Sequence, residues 1–214
     1  MKVAAIIPAY NERERIPAVL DAIKSAKLVD EIVVVSDGST DGTYELVSSD
    51  PRVTAVQLES NRGKGGAMRA GAESTDADVI LFLDADLIGL DGDKVDAIVQ
   101  PLIEGSADMA IGIFRSGRRA TDWAQAIAPY ISGQRAMRRE TFVGIPKLET
   151  VRSGVETAIT KYFRRRKLRV RRVTLKGCTH CMKEEKLGFV QGFACRMKMY
   201  YDISKILLDG HEFK

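Results

Sequence analysis

The sequence predicts an α/β fold: a mostly parallel central sheet with helices on both faces over its first half, and a basic helical C-terminal appendage. Three observations predict it. Short apolar runs alternate with helix-spaced segments over residues 1–115, the pattern of parallel strands joined by crossover helices. The runs are nearly continuous in apolar residues, so both faces of the sheet are covered. Each run also ends in a polar or Gly-rich stretch, on the side where open α/β sheets bind ligands.

The elements follow in order. "KVAAIIP" is the first strand, and "ERERIPAVLDAIKSA" puts Ile16, Val19, Leu20 and Ile23 on one helical face. "EIVVVSD" is the second strand, followed by a short helix in "TDGTYELVSS". "VTAVQLE" and the small-residue helix "KGGAMRAGAES" come next, then the strand "DVILFLD" and the helix "DKVDAIVQPLIEG". "ADMAIGIFR" is the fifth strand. Beyond residue 115 the pattern changes: "SGRRATDW" reads as a loop, "RSGVETAITKYFRRR" as a helix turning basic, and "KLRVRRVTL" as an exposed or edge strand. "FVQGFACRMKMYYDISKILL" (189–208) carries an apolar stripe and is expected to form an amphipathic helix. The chain thus reads as a single domain, 1–214, with halves at 1–115 and 116–214.

Composition excludes several classes. No stretch approaches the ~20 apolar residues of a membrane span. The N-terminal run is short, broken by Pro8 and followed by acids, unlike a signal peptide. Three cysteines are too few for a disulfide scaffold, so a cytoplasmic, reduced location is expected. Charge is uneven. Residues 1–150 hold 17 Lys and Arg against 23 Asp and Glu, a balance of −6, while residues 151–214 hold 16 against 6, a balance of +10. A basic C-terminal quarter on an acidic body points to an anionic partner, unless it is simply a solvated charged face.

The chemistry-bearing residues lie at the strand ends. Asp84 and Asp86 in "LFLDADL" end the fourth strand, and extended geometry through Ala85 would point both carboxylates to one side. Like charges so placed call for a cation, and hard divalent cations bind one or two carboxylates together with substrate phosphates. The bland alternative is a strand-end turn. "GKGG" (63–66) opens a helix and offers backbone N–H groups and Lys64 to a phosphate-bearing ligand. It is not a Walker loop, and no G-x-G-x-x-G follows the first strand. Asn11–Glu12 could be only a helix start, Asp37–Gly38 only a turn and Lys64 only a solvated charge. Four such features at successive carboxyl ends of one sheet are a less ordinary coincidence.

In that order, "IIPAYNE", "SDGSTDGT", "NRGKGGAMRAG" and "LFLDADL" resemble the nucleotide-sugar half of family 2 glycosyltransferases with the GT-A fold, over roughly residues 1–115. The resemblance implies that Pro8, Ala9, Tyr10 and Glu12 line the nucleoside, with Glu12 near the ribose. It implies that Asp37 bonds the base, Lys64 faces base or phosphates, Asp84 touches the ribose beside Ala85, and Asp86 binds the Mn²⁺ or Mg²⁺ that bridges the diphosphate. One residue departs: the family often has two acids before the Gly-Ser, and here the first position is Ser36, which bears on base identity more than on fold.

"ISGQRAMRRETF" (131–142) and "SGVETAI" (153–159) are similar to stretches of polyprenyl- or dolichyl-phosphate glycosyltransferases and of glucosyl-3-phosphoglycerate synthases. Gly133 and Gln134 would then lie near the sugar or acceptor, and Glu156 would be a catalytic or acceptor-orienting acid. Read from residues alone, Ser153-x-x-Glu156 is also a capping box. The family's late metal-binding histidine would be His180. "CTHC" (178–181) alone supplies two zinc ligands of the four needed, leaving Cys195 or His211 to complete a site. Packing as small hydrophobes is the default for the three cysteines.

The resemblance implies a hexosyltransferase that uses a nucleotide-diphosphate sugar, UDP-glucose first. Its acceptor would bear a phosphate, polyprenyl phosphate first and 3-phosphoglycerate second. A sugar nucleotidyltransferase would carry a Gly-rich loop after the first strand, which "IIPAYNERERIP" lacks. A nucleotide-sugar-binding module without turnover is the non-enzyme alternative. Nucleic acid is not an expected partner, since no helix-turn-helix, RNP or zinc-finger signature is present. Peripheral contact with an anionic membrane is expected from the basic quarter, and a homodimer is left open.

Overall fold

The computed structural model describes residues 1–115, 132–148, 151 and 154–180. The loop expected at 116–123, the amphipathic stretch 189–208, Cys181, Cys195 and His211 lie outside the described residues.

Strands β1 (Val3–Ala9), β2 (Glu31–Asp37), β3 (Val53–Leu58), β4 (Val79–Phe82), β6 (Met109–Arg115), β7 (Arg135–Arg138) and β8 (Val170–Lys176) form one sheet in the order β3-β2-β1-β4-β7-β6-β8. β1 lies parallel to β2 and β4, β2 to β3, and β6 to β8, while β7 runs antiparallel to both neighbours, β4 and β6. β5 (Leu87–Ile88) and β9 (Thr179–His180) pair separately, antiparallel. This is the predicted mostly parallel sheet with helices on both faces, and the five strand runs of residues 1–115 fall where the apolar pattern puts them.

Helices α1 (Ile16–Lys24), α2 (Thr43–Ser48), α3 (Gly63–Glu73), α4 (Gly92–Ile103), α5 (Arg139–Val143) and α6 (Val155–Arg165) divide between the faces. The stripe Ile16, Val19, Leu20 and Ile23 of α1 packs with Val95, Ile98 and Val99 of α4 on one face. On the other, Ala67, Met68 and Ala72 of α3 share a core with Phe142 of α5 and Ile159 and Phe163 of α6. Small residues let α3 lie close on β1 and β2, and that closeness carries Lys64 to the sheet's carboxyl edge.

Two local features open the site. Leu83 N–H donates to the Ile6 carbonyl, so even-numbered residues of β1 face β4. Pro8, two residues on, faces the same way but beyond the end of β4 at Phe82, where its missing N–H breaks no ladder bond. The gap between β1 and β4 begins there. The expected extension through Ala85 is not found: Ala85 and Asp86 form a turn after Leu83 and Asp84 leave the ladder. Strand alternation therefore does not align the two carboxylates. At the far side β8 is the sheet's outer strand, with Val170, Arg171 and Arg172 exposed, as its alternating basic pattern predicts.

Candidate active site

The loops after β1 and β2 lock together. Asn11, in the left-handed region at φ 55°, donates its N–H to Ser39 Oγ (3.1 Å), and its Oδ1 accepts from Thr40 N–H (2.8 Å). Glu12 N–H donates to Thr43 Oγ1 (3.0 Å), and Arg13 N–H to Asp41 Oδ2 (3.0 Å). Burial alone would raise the Asp41 carboxyl, but donors from Thr43 and Arg13 outweigh it and hold it below its ordinary range. The second half of "SDGSTDGT" thus holds the loop. Tyr10 stands half exposed at its rim, while Ala9 is buried and Pro8 partly so. Glu12 Oε2 accepts from Arg15 Nη1 (3.2 Å).

Asp37 ends β2 almost fully buried, one oxygen accepting the Arg62 N–H (2.7 Å) at the entry to α3. Gly38 makes this approach: its φ is +71°, and a Cβ there would lie 2.8 Å from Asn61 N. Ser36, the residue that departs from the family pattern, is fully buried, and its Oγ has no hydrogen-bond partner. An unmade buried bond costs about 1–3 kcal/mol. Ser36→Ala is therefore expected to raise the melting temperature, read by thermal unfolding; a lower one would mean the hydroxyl is bonded in solution.

Lys64 is the centre. Its Nζ lies 2.6 Å from Asp84 Oδ1 and 2.6 Å from Glu156 Oε1, joining the first turn of α3, the end of β4 and the first turn of α6. Gln134 Nε2 donates to the other Asp84 oxygen (2.7 Å), and Gln134 Oε1 accepts from Ser132 Oγ (2.8 Å). Gly133 is required by closeness: a Cβ would sit 2.4 Å from Asp84 Oδ2 and 2.7 Å from Lys64 Nζ. Burial pulls the Lys64 ammonium down, but Asp84 and then Glu156 more than reverse this and leave it raised. Burial likewise pushes Glu156 up, and Lys64 followed by Arg135 brings it below its ordinary value. The capping-box reading of Glu156 is corrected: Gly154, at φ 78°, is the N-cap of α6, so Glu156 falls one position short of the box, and its carboxylate binds Lys64 instead.

Both Asp84 oxygens thus accept from nitrogen donors, and Asp86 lies two residues on, in the turn that precedes β5. The β5–β9 register sets His180 opposite Leu87, which places that backbone one residue from Asp86. Among the described residues no three His, Cys, Asp or Glu side chains cluster as a metal site. One or two carboxylate ligands completed by phosphate oxygens is nonetheless the habit of Mg²⁺ at nucleotides, and Asp86 has that chemistry. Cys178 is buried, its Sγ 3.1 Å from the Gly89 carbonyl, and packs in the core as expected.

Lys64, Asp84, Glu156, Gly133 and Gln134 are therefore brought together, with Asp37, Glu12 and Tyr10 along the adjoining β1–β2 edge. Arg135 was not singled out in the sequence, yet it is fully buried beside Glu156. "RAMRR" holds three arginines with nothing to mark the buried one.

Undecaprenyl-phosphate 4-deoxy-4-formamido-L-arabinose transferases of Yersinia pestis and Yersinia pseudotuberculosis are 40% identical over 95 residues, which cover 40% of this chain and 29% of those relatives. Glucosyl-3-phosphoglycerate synthase of Mycobacterium tuberculosis, solved with Mn²⁺, UDP-glucose and phosphoglyceric acid, is similar with a TM-score of 0.66 at 26% identity, over 92% of this chain and 79% of that one. The same enzyme solved with phosphoglyceric acid alone gives 0.65 at 27% identity, over 84% and 72%. A family model spans residues 4–183, from β1 past the last described strand, and the chain belongs to glycosyl transferase family 2.

Proposed function

We propose that this chain is a metal-dependent glycosyltransferase that moves a hexose from a UDP-sugar, UDP-glucose first, to a phosphate-bearing acceptor, with polyprenyl phosphate as the first choice. The observation that carries the reading is the Lys64 centre: one cation held by Asp84 on the donor side and Glu156 on the acceptor side, at the carboxyl ends of parallel strands.

Each residue has a role in this reading. Tyr10 and the β1–β2 loop receive the nucleoside, and Asp37 bonds its base. Asp84, oriented by Lys64 and Gln134, meets the ribose. Asp86 and His180 hold Mn²⁺ or Mg²⁺, which when bound neutralises charge on the diphosphate leaving group. Lys64 offers its ammonium to the same phosphates. Glu156 is held ionised, and one of its oxygens already accepts from Lys64, so it is a weak base that suits orienting better than deprotonation. An acceptor phosphate is already ionised at neutral pH and needs no base. That favours a lipid phosphate over an acceptor hydroxyl. The extent of the likeness to the phosphoglycerate enzyme favours the second reading, 3-phosphoglycerate.

Labelled UDP-glucose with Mn²⁺, offered each acceptor separately, distinguishes them. Label entering the organic phase with polyprenyl phosphate is expected. Transfer only to phosphoglycerate establishes the second reading, and transfer to neither sinks both.

A membrane-surface acceptor also needs access. Arg164, Arg165 and Arg166 at the end of α6, Arg169 just before β8, and Arg171 and Arg172 along it are exposed, and among the described residues no helix is long and apolar enough to cross a membrane. Attraction of roughly 1 kcal/mol per basic residue near an anionic surface is weakened by salt. The chain is expected to sediment with anionic but not neutral vesicles, less so at high salt and after Arg164, Arg165 and Arg166 are reversed to Glu. Equal behaviour with both vesicle types would favour the soluble acceptor.

A further inference from the structure

We propose that Arg135 is a positioning residue for the reaction: it fastens loop 132–134 to the first turn of α6, so that Gln134 and Glu156 reach the Asp84–Lys64 pair as one rigid unit. This rests on the glycosyl-transfer reading above.

Arg135 opens β7, opposite Phe82 of β4 and Ile111 of β6, and is fully buried. Its Nε and Nη2 donate to the Ser132 carbonyl (3.2 and 2.6 Å), and its Nη1 donates to the Glu156 carbonyl (3.0 Å) and Thr160 Oγ1 (3.4 Å). Thr160 Oγ1 itself donates to that Glu156 carbonyl (2.8 Å). One guanidinium therefore spans two segments that are far apart in sequence. The contacts close a ring: Lys64 to Asp84, Asp84 to Gln134, through the Ser132 loop to Arg135, through the α6 backbone to Glu156, and back to Lys64.

Core packing does not explain the choice of residue. A buried guanidinium is costly to desolvate, and an apolar side chain of similar volume would fill the site without that cost. Burial draws Arg135 down to about 10, against the opposing pull of Glu156 and Asp84. What an apolar residue could not supply is the planar fork that reaches both segments. It also could not supply the charge that, with Lys64, balances Asp84 and Glu156. The groups facing Glu156 are Lys64 from α3, Arg135 from β7 and Asp84 after β4. Without Arg135, burial and Asp84 act on Glu156 against Lys64 alone.

The test uses the full chain with Arg135→Met, which keeps volume and loses charge, and Arg135→Lys, which keeps charge and loses the fork. Transfer kinetics give kcat and donor KM. Isotope-labelled glutamate followed by carboxyl NMR gives the titration midpoint of Glu156, assigned with Glu156→Gln. Thermal unfolding identifies folded protein, and Arg135→Lys serves if Arg135→Met does not fold. Expected for Arg135→Met is a kcat about 100-fold lower, the scale of a small misplacement in a reacting complex, with a smaller rise in donor KM as Gln134 loosens on Asp84, and the Glu156 midpoint moved up. Arg135→Lys should restore the midpoint and only part of kcat. Wild-type kcat with an unmoved midpoint in Arg135→Met overturns the proposal. So does a loss that merely tracks the folded fraction. If the wild-type chain turns over no donor, the glycosyl-transfer reading falls, and the Glu156 midpoint alone decides whether Arg135 positions that carboxylate.

Discussion

Asp86→Ala is expected to lower kcat/KM for sugar transfer by roughly a thousandfold or more, about 4 kcal/mol of transition-state stabilisation, while the fold persists. The reason lies in how the strand-end acids are used. Asp84 accepts from Lys64 and Gln134 through its two oxygens and is committed to orienting polar groups. Asp86 sits in the turn that follows, next to the Leu87–His180 bridge, and is the carboxylate we propose for a hard cation. Extra Mn²⁺ should recover part of the loss if His180 and the phosphates still bind weakly. Steady-state kinetics across a Mn²⁺ series check this, with circular dichroism confirming the fold. Turnover unchanged by Asp86→Ala would remove Asp86 from the metal.

Lys64→Ala should weaken UDP binding by roughly 1–3 kcal/mol, about 5- to 150-fold in Kd, through loss of a charge-assisted contact to phosphate. It should also change how stability depends on pH. The Lys64 pKa is raised in the folded chain, so its contribution is complete below about pH 10, its unfolded value, and is lost as pH rises through the folded one. The Glu156 pKa is lowered, so its contribution is present above about pH 4.3 and lost as pH falls through the folded value. The variant leaves Asp84 and Glu156 without the cation between them. Its stability deficit should therefore be largest between roughly pH 5 and 10 and shrink on acidification as the carboxylates protonate. Calorimetry with UDP and denaturant melts across pH measure both effects. A variant that binds UDP like the wild type and shows a pH-independent deficit would make Lys64 an ordinary surface lysine.

The fold of residues 1–115 was legible because its signals are local. Apolar runs, helical stripes and the four motifs lie within a few residues of the atoms they position. One local signal was misread: the turn at Ala85–Asp86 breaks the alternation that strand geometry suggested. The second half was much less legible. β7 is four residues, "RAMR", inserted antiparallel between β4 and β6, and its hydrophobic content is too small to announce a strand. β9 has two residues, as does its partner β5 in the first half. Glu156 meets Lys64 across 92 residues of chain, and nothing near Glu156 distinguishes an ion-pair partner from a helix cap. Arg135 shows the limit most clearly, since one fully buried arginine beside an exposed and a half-buried one is defined by the carbonyls it meets from distant segments.

Acceptor-dependent release of UDP from UDP-glucose, followed with Mn²⁺, with EDTA and after Mn²⁺ is restored, tests the central claim most directly. Release stimulated by a phosphate-bearing acceptor, abolished by EDTA and recovered with Mn²⁺ is the predicted result. A chain that binds UDP-glucose but releases no more UDP with acceptor than without, or that works equally well in EDTA, would contradict it.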